Sequence, residues 1–253
     1  IRGEDAPGLL LVCNAGEEGL GNLKGVRKIC EDYGGRIKSF CTFDSSLSSI
    51  VDRAVGSKRF RVKVRTRGGH SYNDFGNDNA IAGLASLVGK LYKIQVPEGG
   101  KTTYNVGMIS GGTSVNTIAQ EAEMLYEFRS DKRENLEYME RQFMEVLDRA
   151  KAEGMDVSFQ VIGVRPCEGQ VDPAQKQALT DWAHRVVEEM TGQAPKHHAG
   201  STDCNIPLSL GIPSVCVGSF RGAGAHTREE YVETDSLEEG YKVAFGMIFG
   251  RRD

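Results

Sequence analysis

Two adjacent glutamates, Glu17 and Glu18, end the stretch LLLVCNAGEEGLG, in which Leu9, Leu10, Leu11 and Val12 run almost straight into them. Side by side, two carboxylates repel, and ionising both is costly unless a cation sits beside them. Neighbouring side chains in an extended stretch point apart, so one can hold a metal while the other faces a water. The four residues GEEG read equally as a solvated turn entering a helix, whose N-terminus favours acidic groups.

A second apolar run, in CTFDSS, ends in the single carboxylate Asp44, which could also cap a helix. His226 lies in the glycine-rich GAGAHTREEYV after the strand-like IPSVCVG, where a surface histidine is the plain alternative. Taken together, three strand exits offer oxygen or nitrogen ligands at one edge of one sheet, as a metal site requires. A further set comprises His70 in GGHSYND, Asn116 in GGTSVNTIA and Arg129 in EAEMLYEFRS. As a group these would supply donors for an oxyanion and a planar fork for a substrate carboxylate.

The remaining histidines receive other readings. His184 sits mid-helix near Trp182 and reads as structural. His197 and His198 are adjacent on a strand, face opposite ways, and are left out of the site.

The elements that must position these groups follow from periodicity. RFRVKVRTRG alternates, with Phe60, Val62 and Val64 on one face. NDNAIAGLASLVGKLYKI has helical spacing, TTYNVGMISGG and EAEMLYEFRS read as strands, NLEYMERQFMEVLDRAKAEG as an amphipathic helix and DVSFQVIG as a strand. The order β-α-β-β-α-β predicts a ferredoxin-like α+β module over 58–165. Around it, 1–57 and 166–253 predict an α/β domain with a mostly parallel sheet covered by helices on both faces, opening with a strand at 9–14. In such a sheet ligands sit beyond the carboxyl ends of the strands, where Glu17 and Glu18 fall.

Composition narrows the classes. Of 253 residues, 31 are basic and 35 acidic, for a formal charge of -4, and no basic run is dense enough to read as an arm for nucleic acid. An RNA-binding sheet is disfavoured as well, since the alternating strands lack stacking aromatics on a basic surface. The apolar runs fall short of the about 18 residues a membrane span needs. Six cysteines, at 13, 30, 41, 167, 204 and 216, form no Cys-x-x-Cys pair and read as buried thiols in a reducing, cytoplasmic compartment.

In order along the chain, LLVCNAGEEGLG, the Asp44 strand end, GGHS, GGTSVNTIA, FRSD, GSTD and AHTREEYV resemble the co-catalytic zinc hydrolases that include peptidase T, aminoacylase, carboxypeptidase G and succinyl-diaminopimelate desuccinylase. The resemblance covers nearly the whole chain. It implies zinc-dependent hydrolysis of an amide bond in a small peptide or N-acyl amino acid, with two zinc ions, or Co or Mn in their place. It further implies Glu17 as general base, Glu18 and His226 as ligands of one ion, and Asp44 as ligand of the other. His70, often from the other protomer of a dimer, and Asn116 would stabilise the tetrahedral intermediate, and Arg129 would anchor a substrate carboxylate. Homodimerisation through the inserted domain, which would also act as a lid, is expected. The family's His-x-Asp motif and bridging aspartate precede GEEG, and the sixteen residues before Glu17 hold neither. The chain therefore resembles the C-terminal part of such an enzyme and by itself is expected to bind metal weakly and hydrolyse little. A non-catalytic binding protein with the same fold is the alternative.

Overall fold

The computed structural model describes residues 8–250. After a 3-10 turn at Gly19–Gly21, the elements run α1 (Lys24–Tyr33), β1 (Phe40–Phe43), β2 (Ser49–Ala54), β3 (Gly56–Arg65), β4 (Gly69–His70) and α2 (Ala80–Leu91). There follow β5 (Thr102–Gly111), β6 (Thr117–Ile118), β7 (Glu121–Ser130), α3 (Arg133–Ala152) and β8 (Asp156–Arg165). The chain then forms α4 (Pro173–Thr191), β9 (Lys196–Gly200), α5 (Asn205–Ser209), β10 (Ser214–Val217), β11 (Arg221–Ala223), β12 (Tyr231–Glu233) and α6 (Ser236–Phe249).

Residues 56–165 build an antiparallel sheet in the order β5-β7-β3-β8, with α2 and α3 on one face. Its alternation is the one read from sequence. Phe60, Val62 and Val64 of β3 and Met124, Tyr126 and Phe128 of β7 point into the core, where they meet Leu84, Leu87 and Leu91 of α2 and Met139, Phe143 and Leu147 of α3. The i, i+3, i+4 and i+7 spacing of the helical residues makes this stripe possible. Asn79 starts α2 by accepting the amide N–H groups of Ile81 and Ala82 on its Oδ1. On the open face, Arg59, Lys63 and Arg65 of β3 meet Glu127 and Glu121 of β7 at 2.9 to 3.1 Å.

The other sheet has the order β1-β10-β2-β9 and is mixed rather than mostly parallel: β1 pairs with β10 and β2 with β9 in parallel, but β10 is antiparallel to β2. The short link from β1 to β2, residues 44–48, reverses the chain, whereas a parallel return needs a crossover of a dozen or more residues. β10 then fills the gap between them. Helices cover both faces, α4 and α6 through Leu179, Val186 and Val243 on one side and α5 through Leu208 on the other, with α1 packed behind α5.

Residues 9–14 form no strand. A strand exists through its neighbours, and among the described residues none pairs with this segment, so Leu9, Leu10, Leu11 and Val12 stay exposed. Cys13, expected inside a buried strand, is exposed with them. The other cysteines are buried or half-buried, and all six are free thiols.

Phe143 is fully buried, stacks on Tyr126 with ring centroids 5.5 Å apart and lies 4.3 Å from Phe60. Phe143→Ala is expected to destabilise the antiparallel unit by about 3–5 kcal/mol in urea unfolding; a loss below about 1 kcal/mol would contradict this packing.

Candidate active site

The GEEG turn is shaped by backbone that few side chains tolerate. Gly16 has φ 77°, in the left-handed region that glycine adopts without strain. The carbonyls of Ala15 and Gly16 accept the N–H groups of Gly25 and Lys24 at 3.1 and 3.2 Å, so this segment caps the start of α1. Glu17 is thereby turned inward and Glu18 outward: the first is half-buried, the second exposed.

Arg165, the last residue of β8, reaches Glu17 from the other sheet. Its Nη1 donates to Glu17 Oε1 at 2.8 Å and to Ser201 Oγ at 3.1 Å, and its Nη2 donates to the Glu17 carbonyl. With the arginine side chain only 6% exposed, this ion pair is shielded from water. Further bonds fasten the same turn to the antiparallel sheet: Arg59 Nη1 donates to the Gly19 carbonyl at 2.7 Å, and the Val164 N–H donates to Asn22 Oδ1 at 3.0 Å.

Around this pair the carboxyls act on one another. Burial raises the pKa of Glu17; Arg165 lowers it, and Glu18, Asp44 and Asp203 add to the rise. Asp44 is likewise pushed up by burial and by Glu18, against the pull of Arg165 and His226. Asp203 is raised by burial, opposed by the hydrogen bond from Asn14 and by Arg165 and reinforced by Asp44. Glu17, Glu18, Asp44, Asp203 and His226 therefore share one electrostatic neighbourhood. His226 itself occupies the hairpin loop between β11 and β12 with φ 65°, and its N–H donates to Glu230 Oε2 at 3.2 Å. That φ is uncommon outside glycine, though histidine is among the residues enriched there.

Asp203 and Arg165 carry no role that sequence alone reveals. Asp203 is 7% exposed, accepts from Asn14 Nδ2 on one oxygen and leaves Oδ1 buried without a hydrogen-bond partner. Such an orphaned acceptor among crowded carboxylates fits a divalent cation, and the oxygen and imidazole donors here suit zinc or manganese. Among the described residues no three His, Cys, Asp or Glu side chains already stand together as a coordinating group. The match therefore lies in donor chemistry.

The second predicted set is split. His70 and Asn116 are neighbours, since β4 pairs with β6 and the Ser71 N–H donates to the Asn116 carbonyl at 3.0 Å. Gly69, at φ 142°, makes the tight approach to Asp74, whose Cβ would lie 2.6 Å from any Cβ placed there. The Tyr72 and Asn73 N–H groups point at His70 Nδ1 from 3.3 and 3.4 Å, which places the proton of a neutral ring on Nε2. Arg129 is elsewhere, in register with Ser57, which also pairs with Arg165, so Arg129 and Arg165 share a row on one face of the sheet. Its guanidinium is held by Glu127 at 2.9 and 3.2 Å. The β3/β7 ladder runs from this row to Arg65, roughly 27 Å at 3.4 Å per residue, and β4/β6 continue beyond it. Within one chain His70 and Asn116 are thus far from the acidic cluster.

Residues 54–155, which hold the antiparallel sheet apart from β8, match a peptidase dimerisation domain, M20_dimer. This stretch thus carries the dimerisation domain of the M20 peptidases. A homolog of a p-aminobenzoyl-glutamate hydrolase component, from Haemophilus influenzae, is 34% identical over 191 residues, 67% of this chain and 42% of that protein. The aminopeptidase PepT of Bacillus cereus superposes with a TM-score of 0.69 at 22% identity, covering 90% of this chain and 60% of that one. A tripeptidase of Staphylococcus aureus gives 0.68 at 20% identity with the same coverage, and both likenesses establish the fold. The chain thus spans less than two thirds of the length of each of these relatives.

A carboxyl whose proton affinity rises on folding adds stability that is complete below the ordinary carboxyl range and lost as pH rises through the raised value. Glu17, Asp44 and Asp203 all shift in that direction. Asp203→Asn is therefore expected to raise the urea midpoint at pH 7 by more than at pH 4. An equal change at both pH values would show that Asp203 carries no buried charge.

Proposed function

We propose that the whole protein hydrolyses an amide bond in a small peptide or an N-acyl amino acid, using two zinc ions, or Co or Mn in their place. The observation that carries this reading is the shared electrostatic neighbourhood of Glu17, Glu18, Asp44, Asp203 and His226, with the orphaned Asp203 oxygen inside it. The named activities of the Haemophilus, Bacillus and Staphylococcus relatives, all of them hydrolases or peptidases, support an amide as the substrate. In this reading 1–57 with 166–253 form the metal-binding unit, and 58–165 the lid and dimerisation unit. Six free thiols are in keeping with a cytoplasmic setting.

Glu18 and His226 would hold one ion and Asp44 the other. Bound zinc lowers the pKa of water toward about 7 and polarises a carbonyl. Glu17 is the general base: Arg165 holds its Oε1, which leaves Oε2 to take a proton from water and pass it to the departing amine. Arg129 would exchange Glu127 for a substrate carboxylate through its planar fork. His70, with its Nε2 proton outward, and Asn116 would donate to the oxyanion in the site of a second copy, because they are remote from their own.

A homodimer brings that second copy within reach. In the antiparallel sheet β5 is an edge strand, exposed over 107–111, and Met108, Ile109, Ile81 and Val115 present apolar surface beside it. The Val106 N–H is taken by Tyr92 Oη at 3.2 Å, so pairing would begin beyond it.

In the zinc-loaded whole protein, Glu17→Gln is expected to cut turnover of dipeptides, N-acetyl amino acids or p-aminobenzoyl-glutamate about a thousandfold with zinc content unchanged. Near-full turnover would overturn the role of Glu17. A protein that holds no zinc and cleaves none of these would instead be a binding protein that keeps the fold. Sedimentation at micromolar concentration is expected to show a dimer that Ile109→Lys converts to a monomer; a monomer before substitution would refute the dimer.

A further inference from the structure

Away from the acidic cluster, a line of titratable side chains joins β2, β9 and α4. Asp52 Oδ2 lies 2.8 Å from His197 Nδ1, His197 Nε2 lies 2.9 Å from His184 Nδ1, and His184 Nε2 lies 3.8 Å from Glu188 Oε2. The two rings are stacked 15° from parallel and remain about one-third exposed. Arg53 Nε stands 3.5 Å from Asp52 Oδ1, but that oxygen has no hydrogen-bond partner and is buried.

Each outer ring nitrogen faces a carboxylate, and the two inner nitrogens face each other. With protons on both outer nitrogens, where the carboxylates favour them, two lone pairs meet across 2.9 Å. If one inner nitrogen keeps its proton instead, His184 turns a lone pair toward Glu188. One added positive charge between the rings lets both outer nitrogens keep their protons while the two inner ones share the charge.

We propose that His184 Nδ1 and His197 Nε2 form a binding site for one borderline divalent cation of the Zn2+, Cu2+ or Ni2+ kind. Imidazole suits these ions, and a carboxylate on the far nitrogen of a ligating histidine fixes its tautomer and raises its basicity. Asp52 fixes the orientation of His197 from 2.8 Å, and Glu188 lies 3.8 Å from the far nitrogen of His184. The two nitrogens must part slightly, since tetrahedral zinc with ligands about 2.0 Å away holds them roughly 3.3 Å apart. Water takes the other positions. The bound ion would pin α4 to β9, an edge strand of the mixed sheet.

The test is calorimetric titration of Zn2+ at pH 7.5 into the whole chain carrying Glu18→Gln, Asp44→Asn and His226→Gln, which removes the ligands of the proposed active site. One zinc should still bind, and failure of the active-site reading would leave this result unchanged. Adding His197→Gln or His184→Gln should weaken it at least tenfold. Asp52→Asn, which keeps both rings, should weaken it about tenfold. Cu2+ in place of Zn2+ should show two nitrogen couplings by electron paramagnetic resonance. No binding in the triple variant, binding indifferent to both histidines, or binding indifferent to Asp52 would each overturn the proposal. So would a ring pair that takes up a proton at pH 5.5 yet no zinc at pH 7.5.

Discussion

The architecture of the site depends on one counter-charge. Glu17, Glu18, Asp44 and Asp203 crowd at the edge of the mixed sheet, and the guanidinium that opposes their repulsion comes from the other sheet. Removing one partner from a shielded ion pair leaves an uncompensated charge, so Arg165 and Glu17 constrain each other's position. That constraint fixes where the antiparallel domain must end. Ser57, at the start of β3, pairs with Arg165 at the end of β8, so the chain enters and leaves the domain side by side. Asn205, fully buried, closes the junction by donating to the carbonyls of Val55 and Pro166, both at 2.9 Å. An inserted domain whose two crossings share one amide has little freedom to tilt away from Glu17.

What sequence revealed was local periodicity. Phe60, Val62 and Val64 alternate within one strand, and Leu84, Leu87 and Leu91 recur within one helix, so the long strands and helices of the antiparallel unit were legible in order, and the two-residue strands β4 and β6 were not. The mixed sheet was not, because its hydrogen bonds join strands far apart in sequence: β10, beginning at Ser214, slides between β1 and β2, which are separated by five residues. SIVDRA carries no clear alternation, since Ile50 and Val51 are both buried, one against each layer. The aliphatic run at 9–12 had strand composition but no partner, and composition says nothing about partners. The adjacent glutamates and the strand-end position of Asp44 stood out by type. Arg165 did not, being one basic residue closing an alternating strand, and Asp203 drew notice within GSTD without a role. Both matter through burial and through neighbours 148 and 189 residues away, which no local pattern encodes. His197 was set aside because His198 faces away from it, but its partner lies on α4, 13 residues back.

The two edges of the antiparallel sheet are treated differently, and this difference orders the molecule. At β8 the edge is closed from within the chain at Val164, whose N–H goes to Asn22 Oδ1 and whose carbonyl accepts from Arg27. At β5 the edge is capped once, by Tyr92 at Val106, and then left open beside Met108 and Ile109. An unpaired edge flanked by apolar side chains is costly to leave in water and invites another strand. Because Asn22 and Arg27 occupy the end of β8 beside Glu17, a second strand is kept off that end of the sheet. His70 and Asn116 lie past the far end of the ladder that starts at Ser57, so neither can serve the cluster that Arg165 organises in their own chain.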